Sequence, residues 1–245
     1  MSIFQAFMIA LITGLAYLTR RVCGDCQLER PIVLGPLTGL ILGNPALGLQ
    51  CGATLELIFM GAQAIGGSAP SNVAIGSTIG TAIAIVSGQG VEAGIAVAVP
   101  TAVACSSFEV LAKTFCSFFN HWADSFAEKG SSKGIALAVW CGNILHFLAD
   151  FLPTFIALAV GTEYLTNLIN IIPANVMAGI KTMGTLMTAL GFGLLLNNLG
   201  TKKFMPFFFI GFAISAYVPA FGTMGIAFIV VAYAVLYYFQ HKEAE

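Results

Sequence analysis

Charge is what this sequence has least of: ten Lys and Arg and eleven Asp and Glu make up 9% of its 245 residues. A soluble domain carries about 25%, so a water-facing surface cannot be covered with what is here. The formal net charge of −1 leaves no basic stripe, which excludes a nucleic-acid partner. Cysteine is sparse too. "CGDC" at 23–26 has C-x-x-C spacing, but no second pair completes a four-ligand zinc site. The remaining cysteines sit mostly in apolar segments, where Cys behaves as a small hydrophobe. No metal, redox centre or other cofactor is expected. Also absent are a Walker-type phosphate loop, a Ser-His-Asp set and metalloprotease spacing. The chain is not expected to be an enzyme, and any phosphate chemistry coupled to it belongs to another protein.

What fills the chain is oil: 58% hydrophobic residues and a mean hydropathy of +0.91. Uncharged runs recur at Ser2–Thr19, Pro31–Leu55, Leu57–Val91, Ala93–Phe108, Gly134–Ala149, Thr182–Thr201 and Phe204–Gln240. A helix needs roughly 20 mostly apolar residues to span a bilayer, so an all-α polytopic membrane protein is expected. Ser2–Thr19 lacks a basic leader region and runs into Arg20-Arg21, not a small-residue cleavage site. It reads as the first membrane segment.

Three polar patches interrupt the oil: "RRVCGDCQLER" (20–30), "KTFCSFFNHWADSFAEKGSSK" (113–133) and "TKK" (201–203). In the second, Phe115, Phe118, Phe119, Trp122 and Phe126 recur at helical spacing. An amphipathic helix at the membrane surface, ending near Gly130, fits this pattern. An extension of a neighbouring spanning helix fits equally. Gly134–Val160 and Val176–Gly200 each read as one crossing, and Phe204–Gln240 as two with a break near "YVPAFG". The positive-inside rule then puts Lys129, Lys133, Lys202, Lys203 and Lys242 in the cytoplasm. With Arg20, Arg21 and Arg30 on the same side, the N-terminus is outside, the C-terminus inside, and 31–112 crosses an even number of times. Lys181 falls inside a crossing, where snorkelling to the interface accounts for it.

Within 31–112 simple spans give way to glycine and proline. Gly35, Gly39 and Gly43 are spaced by four, as are Gly76 and Gly80; this spacing lets helices approach closely in lipid. Pro31, Pro36, Pro45, Pro70 and Pro100 are expected to break helices. Broken backbone at membrane depth must line a polar cavity or be buried in protein, and transporters place binding sites at such breaks. Glu56 is the lone charge between Pro31 and Val91. On a helix Gly52 and Gln63 share its face, and beyond Gly66-Gly67 come Ser68, Ser71 and Asn72. A carboxylate, an amide and hydroxyls gathered in a dry place suit a polyol, whose hydroxyls both donate and accept. Pairing of Glu56 with another helix and proton or ion coupling stay open beside substrate contact. Asn143, His146 and Asp150 share a helix face and read either as a proton relay or as a bundle contact.

"RPIVLGPLTGLILGNPALGLQCGATLELIFMG" (30–61) and "IGGSAPSNVAIGS" (65–77) resemble the IIC permease component of the mannose–fructose–sorbose family of bacterial phosphotransferase systems. "GIAVAVP" (94–100), "HWADSFAEKG" (121–130) and "MPFFFIGF" (205–212) extend the likeness over nearly the whole chain. The resemblance implies a single IIC domain (1–245) in the bacterial inner membrane, with a IID membrane subunit and cytosolic IIB and IIA that carry phosphate. It implies a higher oligomer of IIC–IID pairs. It also implies sugar entry by an elevator motion, with broken or re-entrant hairpins of 31–91 in the moving part. The substrate set is Glu56, Gln63, Ser68, Ser71 and Asn72. Glu56 falls on the family's "TLEL" glutamate. Asn72 falls where mannose-type members often carry Asp, which favours the amino-sugar branch and N-acetylgalactosamine. A proton- or sodium-coupled secondary transporter using Glu56 is the alternative function.

Overall fold

The computed structural model describes residues 1–62, 71–161, 174–200, 205–218 and 222–242, which are helical with no strand among them. They form two compact units, Met1–Leu194 and Leu195–Glu245. Nine helices are described: α1 (Ile3–Val22), α2 (Pro31–Leu42), α3 (Pro45–Ile58), α4 (Val73–Ser87), α5 (Val91–Glu128), α6 (Ser132–Ala159), α7 (Ala174–Leu199), α8 (Met205–Tyr217) and α9 (Gly222–Lys242). Of these, α1, α5 and α6 are long and apolar enough to cross a membrane.

Local chemistry sets the boundaries. Ser2 caps α1 through a reciprocal box with Gln5: the Gln5 N–H donates to Ser2 Oγ at 3.2 Å and the Ser2 N–H donates to Gln5 Oε1 at 2.9 Å. Pro31 and Pro45 occupy the first positions of α2 and α3, where the missing N–H costs nothing. They start helices instead of breaking them. Pro36 and Pro100 lie inside α2 and α5, which run on past them, so they do not divide the chain as the sequence led us to expect. Pro70 lies outside the described residues.

Helices α2 and α3 form a hairpin of 12 and 14 residues, each short of a full crossing. Glycine allows their contact. A Cβ on Gly35 would stand 2.6 Å from the Gly52 Cα, and one on Gly48 would stand 2.7 Å from the Gly39 Cα. Helices α4 and α5 approach in the same way, with Gly76 and Gly80 against Ala102 and Ala98. The backbones touch because nothing projects between them.

Helix α4 is the centre of the first unit, packing on α5, α2, α3, α6 and α1. Ile75, Ile79 and Ile83 are fully buried, with Ile9 of α1 and Leu158 of α6 in the same core. Helix α5, at 38 residues, is about 57 Å long, well beyond the roughly 30 Å of hydrocarbon in a bilayer. Residues 113–128 continue α5 without a break, and Gly130, at φ 65°, ends the segment. In the second unit, α8 has no buried residue among those described. Its apolar side chains face outward all round, as on a helix solvated by lipid or covered by a partner.

A polar cavity where the hairpin closes

The α2–α3 hairpin returns to its starting level, and Arg30 meets Glu56 there. Arg30 Nε donates to Glu56 Oε1 at 2.7 Å, the guanidinium Nη2 also binds Oε1, and the Ile32 N–H donates to Oε2 at 3.2 Å. The lone carboxylate of the apolar run is therefore paired and hydrogen-bonded at both oxygens. This offsets much of the cost of placing it there.

The turn before α2 adds a second ion pair. Arg20 reaches Glu29 at 2.5 Å and Asp25 at 3.5 Å. Only one Glu29 oxygen is served; Oε2 is buried without a partner among the described residues. Burial pushes the Glu29 carboxyl above its ordinary range, and the Arg20 charge opposes that rise. Nearby, Tyr17 OH donates to Glu109 Oε1 at 3.0 Å and accepts from Arg21 Nη2 at 3.3 Å. Lys113 Nζ sits 2.8 Å from the same Glu109 oxygen.

The start of α4 supplies the third element. Asn72 is 4% exposed and uses its side chain on two partners. Its Oδ1 accepts from the Ile75 N–H at 3.0 Å, capping α4, and its Nδ2 donates to Asp150 Oδ1 at 2.9 Å. The Asn72 backbone N–H donates to the Ala102 carbonyl at 2.9 Å. Asp150 is 1% exposed, and its Oδ2 has no partner among the described residues. Beside Asn72 lies a polar cavity of ≈ 50 Å³, lined among others by Tyr17, Glu29, Arg30, Ser71, Asn72 and Glu109. That volume holds a few waters.

Of the residues expected to meet substrate, Ser71 and Asn72 line this cavity. Glu56 stands behind it, joined to the lining through Arg30. Gln63 and Ser68 lie outside the described residues. The Asn143–His146–Asp150 face is divided: Asp150 turns to Asn72, whereas Asn143 and His146 line a second cavity with Arg21 and Lys113. Sequence reasoning passed over Tyr17, Glu29, Arg30 and Glu109. A signal for Arg30 was present, since Arg30 and Glu56 are the two charges that bracket the uncharged run Pro31–Leu55.

The chain resembles known proteins over nearly its full length. Residues 3–236 match the family model described as "PTS system sorbose-specific iic component". The sorbose-specific EIIC component of Lacticaseibacillus casei is 34% identical over 86% of this chain and 78% of the relative. The putative N-acetylgalactosamine permease IIC component 2 of Escherichia coli is 45% identical over 103 residues, 42% of this chain and 77% of the relative. Among solved structures, the mannose transporter ManYZ in complex with microcin E492 matches with a TM-score of 0.60 at 30% identity, covering 96% of this chain and 93% of that one. On the family match and the 34% identity, the chain belongs to the IIC components of the mannose–fructose–sorbose family of phosphotransferase systems.

Proposed function

We propose that this IIC permease subunit imports an amino sugar, N-acetylgalactosamine above other hexoses, in partnership with a IID membrane subunit. Phosphate reaches the sugar from phosphoenolpyruvate through cytosolic IIA and IIB. The basic residues of the 20–30 and 129–133 turns and the C-terminus face the cytoplasm, and the N-terminus faces outward. The α2–α3 hairpin and the stretch up to α4 form the moving part of an elevator, and IIC–IID pairs assemble further.

The observation that carries this reading is the Asn72 amide. Its donor is turned to Asp150 and its acceptor to the α4 backbone, both at the cavity wall. One N–H and one lone pair of the amide remain for a ligand. Ser71 adds a hydroxyl, and Arg30 adds guanidinium donors that Glu56 orients. A sugar bearing an acetamido group matches such a mixed donor and acceptor surface, and a mismatch leaves buried groups unpaired. Gln63 and Ser68 complete the proposed contacts. At ≈ 50 Å³ the cavity must widen before a hexose enters. The 45% identity to the putative N-acetylgalactosamine permease component supports the choice of sugar, and the two-protein name of ManYZ supports the IID partner.

Membrane vesicles holding this chain with IID, IIB and IIA are expected to accumulate radiolabelled N-acetylgalactosamine phosphate only when phosphoenolpyruvate is supplied. Mannose is expected to accumulate less. Accumulation that ignores phosphoenolpyruvate and collapses with the proton gradient would establish a secondary transporter instead.

A further inference from the structure

The second cavity, ≈ 380 Å³, lies where α1, α5 and α6 meet. Its wall holds two cations, Arg21 and Lys113, together with Asn120, Asn143 and His146. Lys113 is paired with Glu109 at 2.8 Å. Arg21 lies with its guanidinium carbon 5.2 Å from the centre of the Tyr17 ring and makes no ion pair among the described residues. His146 is 3% exposed, and its Nδ1 is buried with no hydrogen-bond partner among the described residues. Such an orphaned group in a native protein calls for an explanation. A neutral imidazole supplies one N–H and one acceptor, so a ligand oxygen can satisfy it.

The surroundings favour a lipid. Phe119, Ala123 and Val139 form part of the same wall, and the adjoining helix surfaces expose Phe115, Phe118 and Trp140. These are faces that acyl chains cover in a bilayer. Arg21 stands at the end of an apolar spanning helix, the level at which headgroups lie. Basic pockets between spanning helices take anionic headgroups by charge and hydrogen bonding.

We propose that this cavity is a binding site for the phosphate of an anionic phospholipid headgroup. Arg21 provides the unpaired charge, Lys113 adds a second cation beside it, and Asn143 and His146 supply neutral hydrogen bonds. The chains of the lipid run along the exposed aromatic face of α5 and α6. The site is separate from the cavity at Asn72 and does not depend on which sugar is carried.

Native mass spectrometry of the full chain, purified and stripped of lipid, tests this. Phosphatidylglycerol, phosphatidylcholine and a hexose 6-phosphate are added in separate titrations. Phosphatidylglycerol is expected to bind ahead of phosphatidylcholine, and hexose 6-phosphate is expected not to displace it. Arg21→Gln with Lys113→Gln is expected to weaken phosphatidylglycerol about 25-fold, from roughly fivefold for each basic residue at an anionic lipid surface. Ala123→Phe fills the cavity while keeping both charges, and is expected to weaken it as well. Lys129→Gln with Lys133→Gln removes equal charge elsewhere and is expected to leave binding unchanged. Equal phosphatidylglycerol binding by wild type and Ala123→Phe would overturn the proposal. So would equal loss in the Lys129/Lys133 control, which would mean diffuse surface attraction. Displacement by hexose 6-phosphate would assign the cavity to free phosphate esters and overturn the lipid reading.

Discussion

Asn72 and Asp150, 78 residues apart in sequence, meet at 2.9 Å with the amide donating to the carboxyl. The contact ties the start of α4 to the second half of α6 at the wall of the cavity beneath the hairpin. The Asn72 acceptor is committed to the Ile75 N–H, so the amide cannot turn over without losing both bonds.

Asn72→Asp removes the donor and sets two carboxyl oxygens against each other. We expect sugar uptake to fall at least tenfold and the protein to lose about 1–3 kcal/mol, the cost of a buried polar group left unsatisfied. Adding Asp150→Asn returns a donor facing an acceptor, with the roles exchanged. Thermal unfolding in detergent is expected to recover in the double variant. A double variant no more stable than Asn72→Asp would show that the pair does not work through this hydrogen bond.

The Arg30–Glu56 pair closes the hairpin and positions Arg30 at the cavity. Glu56→Gln and Arg30→Gln are each expected to lower uptake. The double variant is expected to lose less than the sum of the two. A coupling of about 1–3 kcal/mol is expected, as for hydrogen bonds to charged groups; both side chains are partly exposed, at 13% and 19%, which holds the figure to that range. Additive losses in thermal stability would mean that the two residues act separately. Membrane insertion of Glu56→Gln is expected to stay near wild type, because removing the charge lowers the cost of burial.

Much of this fold was legible in advance, for definite reasons. The uncharged run Pro31–Leu55 carries "GNPA" at its centre, a turn signal that the sequence reading left unused, and the turn there brings its flanking charges together. Glycines four apart mark the closely packed faces, since small residues are what such contacts require. The partnership of Asn72 with Asp150 had no such signal, because it depends on how α4 sits against α6. Spacing also grouped His146 with Asp150, four residues apart on one stripe. The neighbouring helices separate them, with α4 taking Asp150 and the α1–α5 side taking His146. Pro100 misled because a proline inside a long packed helix is tolerated where its neighbours hold the backbone.

A bulky residue at the hairpin contact should act at a distance from the polar groups. At Gly48 a Cβ would already stand 2.7 Å from backbone on the facing helix, so Gly48→Leu forces α2 and α3 apart. Overpacking of this kind costs typically 1–3 kcal/mol, and parting the arms separates Arg30 from Glu56. Reduced folded yield and a lower melting temperature are expected. Gly211→Ala is the control, since nothing among the described residues lies within 4 Å of the added carbon. Equal behaviour of the two variants would place no weight on the glycine contact.

Glu29 offers a test by pH. One of its oxygens binds Arg20, and the other is buried and unmatched among the described residues; desolvation outweighs the ion pair and lifts the carboxyl above its ordinary 4.5. The unfolded chain then loses this proton before the folded one does. In the interval between the ordinary and the raised value the folded state binds more protons, so stability from this group falls as pH rises. Below the ordinary value both states are protonated, and the contribution is fully present. Glu29→Gln imitates the protonated form at every pH. The variant and the wild type are expected to melt alike in acid, and the wild type to fall below the variant as pH rises past the ordinary carboxyl value of 4.5. A wild type that instead gains on the variant with rising pH would mean that the Arg20 pair dominates. The folded carboxyl would then lie below its ordinary value, and the buried Oε2 would have found a partner in the membrane-embedded protein.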